Sequence, residues 1–227
     1  MRKDYHGLNI SGNDLDAVII THEHIDHVQS LGNLSKKFNL PVFATNETFN
    51  AMPKQTEKIA EFNKKNININ EKFSINDINI IPFPIPHDAA NPCGYTIIKD
   101  NKKISIATDI GHITKEILNH IEGSKFILLE SNYDEEILKY TKYPAKLKSR
   151  IAGPNGHLSN ASAGKTINYL INCGLKNALL GHLSKESNFP ELAYQTVINE
   201  LIENGTNTEN FNLSVANRNT PCNLIHI

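Results

Sequence analysis

Cysteine is scarce in this 227-residue chain: Cys93, Cys173 and Cys222 stand far apart and form no C-x-x-C pair. That spacing suggests neither a disulfide framework nor a thiolate zinc site. Excess charge is missing too. With 23 Lys and Arg against 24 Asp and Glu, the formal net charge is −1, which argues against a globally basic nucleic-acid binder but leaves room for a local basic groove. No apolar run is long enough to span a bilayer and no secretory leader pattern is read, so a cytoplasmic protein is expected. No repeat or linker-like segment divides the chain. A hydrophobic share of 39% with 21% charged residues describes an ordinary globular protein, long enough for one substantial core.

Short β-branched runs alternate with amphipathic stretches. Strands are expected at Ala17–Thr21, Val42–Ala44, Asn79–Phe83, Gly94–Lys99, Lys103–Thr108, Phe126–Glu130, Ala178–Gly181 and Phe211–Val215. Helices are expected at Val28–Phe38, Glu57–Lys65, Lys115–Ile121, Ala161–Asn172 and Glu191–Asn204. Thr114 and Asn160 suit N-caps, and Pro190 suits a first helical turn. Lys99-Asp100-Asn101-Lys102 reads as a hairpin turn between antiparallel strands. The expectation is one α/β domain over residues 1–227 with a mixed sheet.

Chemistry concentrates in Thr21-His22-Glu23-His24-Ile25-Asp26-His27, directly after the apolar stretch Leu15 to Ile20. Core packing has no use for imidazoles and carboxylates at this density, because burying them is costly. Further ligand types stand where other β-rich runs end: His87 in Pro86-His87-Asp88, Asp109 in Thr108-Asp109-Ile110-Gly111, and His182 in Gly181-His182-Leu183-Ser184. His22, His24 and His87 suit one metal ion. Asp26, His27 and His182 suit a second, with Asp109 placed to bridge both. Such ligation fits zinc best, with manganese and iron behind it. Two divalent ions are therefore the expected cofactors.

The pattern His22-x-His24-x-Asp26-His27, followed in order by His87, Asp109 and His182, resembles the metallo-β-lactamase superfamily over nearly the whole chain. That resemblance implies an αββα sandwich of two mixed sheets flanked by helices. His24 stands where flavodiiron oxidoreductases carry Glu, and Asp109 where zinc β-lactamases carry Cys, so both of those activities are disfavoured. Pro86-His87-Asp88-Ala89, Leu129-Glu130-Ser131-Asn132 and Gly156-His157-Leu158-Ser159-Asn160 resemble the YycJ/WalJ-type branch, which is similar to RNase Z and to the PhnP-like cyclic phosphodiesterases. The branch implies an exonuclease on DNA 5′ ends, working by metal-bridged hydroxide attack. A thioesterase or lactonase of the glyoxalase II kind, and a non-catalytic metal-binding domain, are the rival readings. Expected partners are nucleic acid, DNA or RNA, or a small phosphodiester, with no membrane and with a homodimer as one assembly.

Roles beyond the metal ligands follow from the same resemblance. Asp26 would also position the nucleophile, and His157 would protonate the leaving oxygen; the alternative is that His157 and Asn160 only shape a helix start. Glu130 reads either as a carboxylate orienting a ligating His or as a surface carboxylate at a strand end. Ser184, Lys185 and Asn188 are candidates for phosphate contact or for an exposed polar loop. Lys139–Arg150 carries five basic residues, no acid, and Tyr140 and Tyr143 between them, a pattern that suits a phosphodiester backbone or a solvated face. Cys93 reads as a buried or incidental thiol. Family members open with a strand and turn of the form S-G-S-x-G-N, which is absent here, and Asp4–Asn13 resembles the tail of the first helix that follows. An N-terminally truncated form is therefore expected.

Overall fold

The computed structural model describes residues 10–222 and 224–227. The chain makes two compact units, Met1–Pro84 with Ala89–Cys93 and Ile85–Asp88 with Gly94–Ile227. Of the stretch Asp4–Asn13, residues 4–9 lie outside the described residues. Gly12–Asp14 is a 3-10 turn in which Ser11 and Asp14 cap each other.

In the first unit, β1 (Val18–Ile19) leads into a helical turn, α1 (Ile25–Val28), and then α2 (Leu31–Phe38). β2 (Val42–Ala44) and α3 (Asn46–Ala51) follow, then β3 (Lys64–Asn66), β4 (Phe73–Ile75) and β5 (Ile78–Pro84). β1, β2 and β3 form a parallel sheet in that order, and β4 pairs with β5 antiparallel. Ile20, Val28, Leu31, Val42, Ala44 and Ile59 make the core beneath the parallel sheet's helices. The helix expected over Val28–Phe38 is broken at Gln29–Ser30, because the turn that carries Asp26 and His27 is a separate element; it ends where Asn39 adopts a left-handed conformation, φ 53°. The helix expected at Glu57–Lys65 is not formed. Two 3-10 turns, Lys54–Lys58 and Glu61–Asn63, stand there instead, and Lys64–Asn66 joins the sheet. Pairing with β2 overrides local propensity in that segment.

The second unit holds β6 (Cys93–Lys99), β7 (Lys102–Ala107), α4 (Lys115–Ile121), β8 (Phe126–Glu130), α5 (Glu135–Tyr140) and α6 (Ala145–Ile151). It continues with α7 (Asn160–Asn172), β9 (Asn177–Gly181), α8 (Pro190–Glu203) and β10 (Asn212–Val215). Its strands run in the order β10-β9-β8-β7-β6. β7, β8, β9 and β10 are mutually parallel, while β6 and β7 are antiparallel. Their connection is the expected turn: Asp100 and Asn101 both have positive φ, 48° and 63°, as a two-residue hairpin loop requires. Ile127, Leu129, Leu180, Ile167, Leu170, Val197 and Leu201 are fully buried among the strands, α7 and α8, each worth about 1.5–3 kcal/mol relative to exposure. Gly164 lets α7 approach α8 closely, since a Cβ there would lie 2.9 Å from Glu200 Cβ.

The cap expected at Asn160 belongs to its neighbour. Ser159 Oγ accepts from Ser162 N at 3.2 Å, and Asn160 is the first residue of α7. Thr114 caps α4 and Pro190 opens α8, as expected. Among the described residues no helix is long and apolar enough to cross a membrane. Replacing Ser159 with Ala should lower the unfolding free energy by about 1 kcal/mol, seen as a lower urea midpoint with an unchanged slope.

Candidate metal centre

Each unit gathers its own cluster of ligand types. In the first, β1 ends just before Thr21 and the chain turns through His22–His24 into α1. His22 is fully buried, and its ring centroid lies 4.6 Å from that of His24 and 4.1 Å from that of His27. Thr21 Oγ1 sits 3.1 Å from Nδ1 of His22 and 3.4 Å from Nδ1 of His27, so one hydroxyl steadies both rings. Asp26, in the first turn of α1, is exposed, with Oδ2 3.7 Å from His27 Nε2.

In the second unit, the parallel register decides the site. Ala107 pairs with Leu129, and Glu130 pairs with Gly181. Asp109, Glu130 and His182 therefore leave the sheet at one edge, the carboxyl ends of three adjacent parallel strands, where such sheets build sites. Ligand atoms of Asp109, Glu130, His157 and His182 all lie within 4.8 Å of one another. His182 Nε2 is 3.4 Å and His87 Nε2 3.8 Å from Asp109 Oδ1.

The opposite ring nitrogens are tied down. His87 Nδ1 donates to the Gly156 carbonyl at 3.1 Å, and His182 Nδ1 donates to Glu130 Oε1 at 2.8 Å. Nδ1 carries the proton because its oxygen partner can only accept. A tethered Nδ1 with Nε2 turned towards a carboxylate is the arrangement of metal-ligating histidines. Burial holds His87 below the ordinary imidazole value, against the opposing pull of Asp109, which keeps the ring neutral and able to ligate. The donor set of imidazoles and one buried carboxylate fits a divalent ion of the zinc kind.

Glu130 is completely buried, so the surface-carboxylate alternative is excluded. It accepts four hydrogen bonds: from Ile110 N at 2.7 Å, Leu158 N at 3.0 Å, and Nδ1 of both His157 and His182 at 2.8 Å. Burial alone would raise its pKa. The bonds and charges of the two histidines outweigh that and hold the carboxyl at about 2.

Residues 4–183 match the family described as the beta-lactamase superfamily domain. The chain belongs to that superfamily. Exodeoxyribonuclease WalJ of Streptococcus pneumoniae serotype 2 is 35% identical over 198 residues, covering 86% of this chain and 74% of the relative. The metallo-β-lactamase fold protein YhfI from Bacillus subtilis superposes with a TM-score of 0.62 at 17% identity, covering 93% of this chain and 78% of that one. Zn²⁺-bound PqqB from Methylobacterium extorquens reaches 0.67 at 15% identity, covering 93% and 74%. The family and fold expected from the motifs are thus borne out: this is a metallo-β-lactamase fold, with mixed β-structure flanked by helices.

Three residues of the quoted motifs take roles that the sequence alone does not assign. Thr21 and Gly156 hold ligand rings through oxygen atoms. Asn132 Nδ2 donates to the His182 carbonyl at 2.8 Å and so fixes the ligand's backbone. Both Asp109 and His182 have left-handed backbones, φ 61° and 57°, a costly conformation for non-glycine residues that surrounding bonds must enforce. Asn188 corrects the expectation of a phosphate contact. It is buried, donates to the Ser131 and Asn132 carbonyls, and bonds Asn160 Oδ1 at 2.8 Å. Ser184 Oγ accepts from the Glu186 and Ser187 amides within its own turn, and Lys185 is exposed. Cys93 is buried, its thiol near the Ile20 and Thr21 carbonyls.

Truncating Glu130 to Ala would remove a buried acceptor from four donors, two of them backbone amides. The expected loss of stability is about 3–5 kcal/mol, the cost of breaking a buried charged network. Urea unfolding of the variant against the parent measures it.

Proposed function

We propose that this chain is a dinuclear metal-dependent phosphodiesterase that acts in the cytoplasm as an exonuclease on DNA 5′ ends. Its two compact units are read as one domain over residues 1–227, in keeping with a family match that runs through both. The observation that carries the reading is the aim of His87 Nε2 and His182 Nε2 at the Asp109 carboxylate, each with Nδ1 tethered. The exodeoxyribonuclease relative supplies the substrate class.

His22, His24 and His87 would hold one ion, Asp26, His27 and His182 the other, with Asp109 serving both. Zinc is the metal of choice, with manganese as the alternative. Bound there, the pair supplies charge neutralisation for a scissile phosphate and a hydroxide at neutral pH. Asp26, the exposed acid of the set, accepts a hydrogen bond from the attacking water and orients it. His157, its Nδ1 held by Glu130, presents Nε2 to the leaving oxygen and gives it a proton as the P–O bond breaks. The Glu130 carboxylate fixes the direction of the His157 ring.

The test is turnover by the metal-loaded protein on 5′-phosphorylated DNA, RNA, a generic phosphodiester, a thioester and a lactone. Hydrolysis of 5′-phosphorylated DNA is expected, lost on chelation and restored by zinc or manganese. Turnover of the thioester or lactone alone would overturn the substrate class, and a folded, metal-loaded protein inert on all five would leave a binding domain. His157→Ala should lower kcat on DNA by about 10²–10⁴ with KM little changed. Glu130→Gln should weaken metal affinity by about 10–100-fold, read by competition with a chromogenic chelator.

A further inference from the structure

We propose that Tyr140, Lys142 and Lys146 form a docking track for single-stranded DNA, a surface outside the metal centre that deepens the nuclease reading and rests on it. The track belongs to the excursion between β8 and α7, both ends of which are anchored at the site. Its first end follows Glu130. Its last end is held where His157 N donates to the Ile151 carbonyl at 2.8 Å and the Gly156 carbonyl takes the ring of His87. Arg150 adds a two-point clamp on Asp88, at 2.5 and 3.0 Å, next to His87. Tyr133, Leu138 and Ile151 form a small core of their own, with Tyr143 and Leu147 packed against it. The outer surface of the excursion is thus carried on a fixed base.

Residues 139–150 hold five basic side chains and no acid. Three of the five are committed internally: Lys139 to Glu136, Lys148 to the Lys139 carbonyl and Arg150 to Asp88. Lys142 and Lys146 are exposed and form no ion pair among the described residues. Helix stability does not explain Lys146, since a cation in the first turn of α6 opposes the helix dipole. Tyr140 is 86% exposed, the most exposed large hydrophobic side chain among the described residues. An exposed aromatic ring two and six residues from exposed lysines in sequence matches the base faces and phosphates of an unpaired strand. The ring stacks a base without regard to sequence, and each lysine neutralises a phosphate.

The experiment measures binding of the metal-loaded protein to a fluorescent phosphorothioate oligo-dT by anisotropy across a salt series. Alongside it run hydrolysis of ordinary DNA and of bis-p-nitrophenyl phosphate. Lys142→Glu with Lys146→Glu should weaken oligo-dT binding about tenfold or more and flatten the log–log salt slope by about 1.4, two phosphates at about 0.7 each. Tyr140→Ala should weaken binding about tenfold. Lys142→Arg with Lys146→Arg should bind like the parent. All of these variants should hydrolyse the small diester at the parent rate, since none touches the metal centre. Unchanged oligo-dT affinity and salt slope in the charge-reversed protein would overturn the track, whatever the hydrolysis. So would unchanged oligo-dT binding with loss of binding to phosphatidylglycerol vesicles, which would assign the patch to a lipid surface. If the parent binds oligo-dT through these residues yet cleaves no DNA, the nuclease reading falls and the track stands.

Discussion

The carboxylate of Glu130 is the constraint on which the second unit's chemistry depends. It is an ionised group with no access to solvent, a situation proteins avoid unless every lone pair is used. Here four donors use them, and they come from three separate segments: Ile110 after β7, His157 and Leu158 before α7, and His182 after β9. One side chain therefore ties together the loops that leave three strands. The ties also set function. Because Oε1 takes both imidazole Nδ1 atoms, each ring is fixed in tautomer and direction, and Nε2 of His182 is left facing Asp109. The amide bond to Ile110 meanwhile holds the backbone next to Asp109 in its left-handed turn.

That arrangement explains how the chain sustains two non-glycine residues at positive φ where ligands are needed. A ligand that simply followed the strand direction would alternate between the sheet's faces. Turning left immediately after the last paired residues re-aims Asp109 and His182, at a cost of about 1–3 kcal/mol each. The buried network around Ser131, Asn132, Asn160 and Asn188 supplies compensation: Asn132 holds the His182 carbonyl, and Asn188 in turn holds the Ser131 and Asn132 carbonyls. The polar residues around Asp109 and His182 thus act as a frame for the backbone.

Much of this was legible from the residues, and the failures have physical causes. All eight expected strands occur, because each is a β-branched or apolar run bounded by polar or turn residues, and the ligand types at their ends stand out against that background. β3 and β4 are not legible because Lys-Lys-Asn and Phe-Ser-Ile form no apolar run; the pairing of β3 with β2 is a property of the partner strand. Glu57–Lys65 has helical composition, yet tertiary pairing claims its end. Glu130 was ambiguous for a deeper reason. Its burial is decided by residues 20 to 52 positions away in sequence, and no local pattern records them. The left-handed turns at Asp109 and His182 were equally silent, since neither is the glycine that usually announces such a conformation.

Stability and reach are assigned to different side chains of the excursion between β8 and α7. Its inward residues pack on Tyr133 and Ile151, and its last turn bonds back to His87 and His157. Its outward residues bear on none of these contacts, and Lys142 and Lys146 can answer to a ligand alone. A surface that meets long substrates benefits from this separation, because affinity for a strand is then adjustable without disturbing the ligand geometry. The committed basic residues keep their place in that logic. Arg150, fixed bidentately to Asp88, turns a charge into a strut, whereas Lys142 and Lys146 are exposed and take no part in these internal bonds.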